Sequence, residues 1–358
     1  MELTDTLLLK RSDVVSLLNI DECMDAVENA FCLYAKGKAL PPKVLGIHCD
    51  NGGFHIKAGI SGLKKKYFAA KVNANFPGNP KQCGLPTIQG VIVVCDAMNG
   101  RLLALMDSIE ITIIRTGAAT AVAAKYLALP GAAIVTICGC GSQGRISLKA
   151  LLKVRQLKKV FAFDIDSNQR EKFKQEFDRE LEIIPVSIND LPAALHQSQV
   201  VITCTPSKEP FIHADDIMPG TFIAAVGADN EDKQELFSDL IASSKIVVDL
   251  VEQSASIGEL HHAIKQGLIT MSGVYAELGF IIAGKKAGRE SENEIIIFDS
   301  TGTALQDVAA AVIVYEKAVA SGIANRSNFS NQDSTSDADA FKKNERDIRA
   351  LRWWFPFK

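Results

Sequence analysis

No stretch of this chain approaches the roughly 18 consecutive apolar residues that a membrane-spanning helix needs. An excess of charge of one sign is also missing. The 39 Lys and Arg against 42 Asp and Glu leave a net charge of −3, which gives no electrostatic reason to expect nucleic acid or an anionic membrane as a partner. The eight cysteines include no CxxC pair and match no zinc-ligand spacing. Most of them lie in apolar runs, as free thiols in a reducing compartment do, so no metal is expected. The first residues, MELTDTLLLKRSDVV, lack a charged segment followed by an apolar stretch and a small-residue cleavage site. A cytoplasmic location is the expectation.

What is present is an ordinary globular composition, 47% hydrophobic and 23% charged. At 358 residues the chain exceeds the roughly 250–300 residues at which single cores stop growing, so two domains are expected. The first 40 residues carry helical spacing, with Val14, Val15, Leu17 and Leu18 followed by Met24, Val27, Ala30 and Phe31. From Lys43 to Leu105 the pattern shortens to strand-like pieces separated by the turn clusters DNGG, PGNP and DAMNG, a meander that predicts an antiparallel or mixed sheet. Residues 109–128 read as an alanine-rich helix ending at Pro130-Gly131. Beyond it, the apolar runs AAIVTIC, VFAFDID, IIPVSI, VVITCT, TFIAAVG and KIVVDL alternate with helical stretches, the signature of a parallel sheet covered on both faces. EIIIFDSTG (294–302) is expected to bring the chain back to the first domain, where the amphipathic stretch 304–322 packs.

The fold class expected is therefore α/β: a Rossmann-type doubly wound parallel sheet over 116–302, and a discontinuous α+β domain from 1–115 and 303–327. Residues 328–358 read as a flexible tail, polar at first and ending in a cluster with Trp353 and Trp354.

The strongest local signal is Gly139-Cys140-Gly141-Ser142-Gln143-Gly144, which follows an apolar strand and opens a helix. Gly139 permits a tight turn, Gly141 lets the backbone approach a pyrophosphate, and Gly144 lets the helix pack on the strand. The free N–H groups of the helix start, at Ser142 and Gln143, then face the phosphates. The second strand ends in Asp164, a carboxylate suited to ribose hydroxyls and repelling a 2′-phosphate. NAD(H) is expected over NADP(H).

The segments AAKVNANFP (69–77), GLPTIQG (84–90), ALMDSIEITIIRTGAATAVAAKYLA (104–128), AVGADNEDKQEL (225–236), YAELGFIIAG and FDSTGTALQDVA together resemble the ornithine cyclodeaminase/mu-crystallin family over residues 5–325. The resemblance implies a homodimer joined through the first domain and hydride chemistry on a small amino or imino acid. It also implies that Arg115 and Lys71 hold the substrate carboxylate, with Thr87 reaching it and Lys43 standing where the family more often has arginine. Arginine's fork suits a planar carboxylate, and a lysine in its place keeps the charge but loses the fork. Asp229 is implied as the group that handles the proton on the substrate nitrogen, and Lys71 lies against the reacting centre. Thr116, Thr205, Thr301 and Gly302 are assigned to the cofactor's surroundings.

One departure stands out. His55 occupies the position where cyclodeaminases carry a glutamate that reads a second amino group. With Lys57 on the same strand face, it suits an anionic substrate tail better than ornithine. The leading expectation is thus reduction of an imino acid or the reverse oxidation of an amino acid. Ornithine cyclodeamination and a mu-crystallin-like ligand binder are the alternatives. His261-His262 read as a solvated pair on a helix, and Glu277 as structural.

Overall fold

Strands that are apolar at every position need cover on both faces, and the second half of the chain builds such a sheet. The computed structural model describes residues 5–62, 65–179, 181–323 and 325–329. Among these, eight strands lie in the order Ala276–Glu277, Lys245–Val248, Ile296–Asp299, Phe222–Ala225, Val200–Thr203, Ile134–Cys138, Lys159–Phe163 and Glu182–Val186. Every adjacent pair is parallel. The chain winds outward from Ile134–Cys138 and then returns to its other side at Val200–Thr203. That reversal opens a crevice at the carboxyl ends of the strands, the ordinary ligand position in such sheets.

The register makes this edge a single line. Cys138 pairs with Phe163 and Thr203, Thr203 with Ala225, and Ala225 with Asp299, which also pairs with Val248. The residues just beyond these strand ends share the crevice, and they include Gly139, Asp164, Thr205, Gly227 to Asp229, Asp249 and Thr301.

The first sheet is mixed and seven-stranded, in the order Asn325–Asn328, Asp5–Leu9, Leu102–Asp107, Ile88–Asp96, Tyr67–Asn75, Gly52–Ser61 and Lys43–Cys49. All pairs are antiparallel except Asp5–Leu9 with Leu102–Asp107. Helices Ile20–Ala35, Ile109–Leu127 and Ala304–Ser321 cover one side of this half. Ala304 packs so closely on the sheet that a Cβ at Gly59 would stand 3.4 Å from its own.

Three readings of the sequence need correcting. Asp5–Leu9 is a strand, not part of a helical run, because it finds a parallel partner in Leu102–Asp107 on one side and an antiparallel one in Asn325–Asn328 on the other. Ile296–Asp299 belongs to the middle of the parallel sheet, and the chain crosses back only after it. The polar NRSN segment at Asn325–Asn328 forms an edge strand on Asp5–Leu9, held by backbone pairing that its side chains do not advertise. The tail beyond residue 329, with Trp353 and Trp354, lies outside the described residues. Among the described residues no helix is long and apolar enough to cross a membrane, and no cluster of His, Cys, Asp or Glu could hold a metal ion.

Candidate active site

Antiparallel register sets Lys57 directly opposite Lys71 on neighbouring strands, so two lysines share one face beneath the helices. Both are buried, at 6% and 4% exposure, a costly arrangement unless anions or carbonyls meet them. Lys71 Nζ donates to Asp307 Oδ1 at 2.8 Å, and Arg115 Nε donates to the same oxygen at 3.1 Å. Arg115 Nη1 also donates to Gln306 Oε1 at 2.9 Å, whereas Asp307 Oδ2 is buried with no hydrogen-bond partner. Gln306 and Asp307 stand in the first turn of Ala304–Ser321, while Arg115 comes from the middle of Ile109–Leu127. Gly302, at φ +74°, lies flat against the guanidinium, where a Cβ would stand 2.6 Å from Nη1. Arg115 is thus held from two sides.

Lys57 Nζ donates to the carbonyls of Thr301 and Gly302 at 2.8 and 2.6 Å. The same loop is gripped from the parallel sheet by Asp249, which accepts from Thr301 Oγ1 at 3.0 Å and from the Gly302 N–H at 2.8 Å. Gln253 Nε2 donates to Thr301 Oγ1 at 2.7 Å. Thr301 and Gly302 therefore weld the two sheets together. Lys57 is committed to that weld, which corrects its reading as a hand for a substrate tail.

Charge does not balance here. Lys57, Lys71 and Arg115 face Asp307 and Asp249, and burial pushes the Asp249 pKa up. Burial also drives Lys71 down to about 7, reinforced by Arg115 and Lys57 and opposed by Asp307. Burial would raise Asp307, yet Lys71 and Arg115 outweigh it and hold that carboxyl below its usual range. Three basic side chains thus meet two acidic ones, with burial lowering both Lys57 and Lys71.

Asp229 sits at the mouth of the same crevice, its side chain 52% exposed, with Lys233 Nζ 2.7 Å from Oδ1. Surrounding protein raises its pKa, but Lys233, Lys57 and His55 together bring it below the ordinary value. Lys57 and His55 belong to the other sheet, so this acid faces the cationic wall across the cleft. Partial burial lowers the His55 pKa against the pull of Asp229, which leaves the imidazole mainly neutral near pH 7.

The glycine turn lies along the same edge. Gly139 takes φ +106°, and Gly141 has open space where a Cβ would point. Helix Ser142–Leu151 begins with no side-chain cap at Gly141, so first-turn N–H groups stay available, and Gln143 Oε1 is buried without a partner. Asp164 accepts the Cys140 N–H at 2.9 Å and lines, with Gly139, Gly141, Phe163 and Thr205, a cavity of about 530 Å³. Open space at Gly141, uncapped N–H groups and a carboxylate at the second strand end fit the pyrophosphate and ribose of a dinucleotide.

The remaining assigned residues are more scattered. Lys43 is exposed at the start of its strand and borders, with Tyr34, Gln253 and Glu277, a cavity of about 840 Å³. Thr87 is half-buried and precedes Ile88–Asp96, five residues from the position opposite Lys71, so it lies toward the far end of the strand pair. Thr116 is buried, its hydroxyl donating to the Thr112 carbonyl at 2.8 Å. Thr205 is half-buried, and its N–H donates to Glu235 Oε1 at 2.6 Å. Glu277 accepts the Val251 N–H at 3.1 Å, a structural role. His262 is half-buried and not simply solvated: its ring Nε2 lies 2.9 Å from the Lys233 carbonyl.

Asp307, Asp249 and Gln306 were missed by sequence reasoning. Their one visible signal was position: Gln306 and Asp307 fall within FDSTGTALQDVA, and Asp249 ends an apolar strand as Asp164 does.

Fold and site together define an α/β protein in which a buried cluster of basic and acidic side chains joins an all-parallel eight-stranded sheet to a mixed seven-stranded one. The chain belongs to the ornithine cyclodeaminase/mu-crystallin family, whose model matches residues 4–322. It is 41% identical over 331 residues to an alanine dehydrogenase of Archaeoglobus fulgidus, covering 91% of this chain and 99% of that one. An archaeal alanine dehydrogenase dimer with bound NAD superposes with a TM-score of 0.86 at 39% identity, over 91% of this chain and 99% of that chain. The Δ1-pyrroline-2-carboxylate reductase of Thermococcus litoralis, solved with NADH and L-proline, gives a TM-score of 0.82 at 35% identity, over 89% and 99% respectively.

Removing the shared anion leaves two buried cations unpaired. Asp307→Asn is therefore expected to destabilise the fold by about 3 kcal/mol, read as a lower urea midpoint. An unchanged midpoint would mean that the two cations do not depend on it.

Proposed function

We propose that the protein is an NAD(H)-dependent oxidoreductase that reduces a small α-imino acid or oxidises the matching α-amino acid. The observation that carries this reading is the buried Lys71–Asp307–Arg115 cluster, two basic groups on one acid, with Asp229 near enough to Lys57 and His55 for their charges to lower its pKa. Bound NAD(H) supplies or receives the hydride, and Asp164 favours NAD(H) over NADP(H). The uncapped turn at Gly139 to Gly144, with Thr205, is where it would be held, since that turn combines a cavity with open N–H groups.

This chain's own residues supply orientation and proton control. Arg115 Nη2 has no protein hydrogen bond among the described residues, so the guanidinium can donate to a substrate carboxylate while Nε stays on Asp307. Lys71 adds a second contact, and holding the head group in two places fixes the α carbon. Asp229, kept ionised, accepts a hydrogen bond from a protonated substrate nitrogen and can take or return its proton. His55 stands where a second ammonium would need a carboxylate, and the wall around it carries Lys57 and Lys233. That argues against diamino substrates and for a neutral or anionic side chain. The expected result is stoichiometric NADH loss with a 2-oxo acid plus ammonium, or with a cyclic imino acid. Ammonia release from ornithine without net NADH change would instead establish the cyclodeaminase reaction.

The pH dependence arises from Lys71. It is cationic below about 7 and neutral above, so kcat/KM for the imino acid should fall as pH rises through that value. Asp307 favours the charged form, so Asp307→Asn should move this limb to lower pH. A limb that stays put would separate Lys71 from carboxylate binding.

A second copy of the chain is the proposed cover for the exposed apolar side chains on the first sheet's outer face, Leu45, Ile47, Phe54 and Val91. Clustered exposed apolar side chains of this kind tend to mark contact surfaces, and the archaeal relative is a dimer. Light scattering should give twice the chain mass, and Leu45→Lys with Ile47→Lys should give the single mass. A monomeric wild type would refute the pairing.

A further inference from the structure

Three fully buried carboxyl groups stand behind the cleft, and the chemistry above uses none of them. Asp299 accepts the N–H groups of Glu259 and Leu260 at 3.2 and 3.0 Å, fixing the start of helix Glu259–Lys265. Glu259 then accepts the N–H groups of Glu235 and Leu236 at 2.8 and 3.1 Å. Glu235, in turn, accepts the Thr205 N–H through Oε1 at 2.6 Å. Its other oxygen, Oε2, is buried with no hydrogen-bond partner and lies against Gly227, where any Cβ would collide with it.

The two loops that Glu235 touches have different jobs. Thr205 lines the cavity beside the glycine turn, whereas Gly227 lies two residues before Asp229. We propose that Glu235 is a positioning residue that ties the dinucleotide loop at Thr205 to the loop carrying Asp229, setting the distance between cofactor and proton-handling acid. The inference rests on the function proposed above for those two loops.

Geometry and chemistry agree on how it does so. One buried side chain stands between Thr205, whose N–H it accepts, and Gly227, which it touches; the backbone links on either side of that contact are Val226 N–H to the Thr203 carbonyl at 2.9 Å and Gln234 N–H to the Ser207 carbonyl at 3.1 Å. Burial raises the Glu235 pKa, outweighing the hydrogen bonds from Thr205 and Thr203 and the pull of Lys233. A glutamine in its place keeps the length of the side chain and an acceptor oxygen for the Thr205 N–H. His262 holds the same loop from outside through the Lys233 carbonyl, and Glu259 holds its far end through the Glu235 and Leu236 N–H groups.

The test is hydrogen exchange on the full chain, with NADH binding followed by fluorescence. In Glu235→Ala, peptides covering 203–208 and 226–232 should both exchange at least about tenfold faster, as expected for a lost buried hydrogen bond. NADH should bind about tenfold more weakly, and kcat should fall together with it. Glu235→Gln should stay within about threefold of wild type in all three, since it preserves an acceptor for Thr205 and needs no charge. Faster exchange in neither loop, or in one only, would overturn the proposal. Should Glu235→Ala not fold, Glu235→Gln decides: near-wild-type exchange and binding support the assignment, and loss of both overturns it. Exchange is read without turnover, so an inactive wild type would count against the proposed function while this test still gives its answer.

Discussion

One carboxylate oxygen, Asp307 Oδ1, receives both Lys71 and Arg115, and most of the site's properties descend from that sharing. Two buried cations without an anion would be expelled, would lose their protons or would unfold the pocket. One anion for two cations keeps both in place and leaves attraction to spare. In the function proposed above, that surplus is what receives the substrate carboxylate. Removing water from such a pair is expensive, which is a reason to regard the cluster as built for binding and not for stability.

The cluster works because its members come from elements that are themselves rigid. Lys71 stands on an interior strand of the first sheet, Arg115 on a helix buried along most of its length, and Asp307 at the start of the helix that comes after the crossing between domains. The crossing loop at Thr301 and Gly302 is fastened from both sides, by Lys57 and by Asp249. Any shift of one domain against the other must pull on that loop, and Gly302 would transmit the pull to the guanidinium it touches. Binding geometry and domain arrangement are therefore coupled through a few atoms.

Much of this was legible before any coordinates. Apolar runs alternating with helices announced the parallel sheet, and Gly139 to Gly144 announced the turn at its edge. Period-two alternation put His55 and Lys57 on one face. What stayed hidden were the partners. Asp307 looks like any acid near a helix start, and its contact with Lys71 spans 236 residues. Strand spacing shows that Lys57 faces inward but not that two carbonyls await it. Glu235 and Glu259 sit in polar segments that read as surface, because a buried acid satisfied by backbone N–H groups leaves no pattern in sequence. His262 was misread for the same reason, its partner being a carbonyl on a distant loop. The edge strand Asn325–Asn328 owes its place to backbone pairing, which composition does not encode.

For the proposed chemistry to run, the buried cations must recognise a carboxylate beside the nicotinamide. The most direct measurement compares NADH oxidation with a cyclic α-imino acid and with the same imine lacking its carboxylate, at equal concentration and neutral pH. Turnover confined to the acid, with the decarboxylated imine neither reduced nor inhibitory, is the predicted result. Equal turnover of both would show that the Lys71–Asp307–Arg115 cluster serves some other purpose.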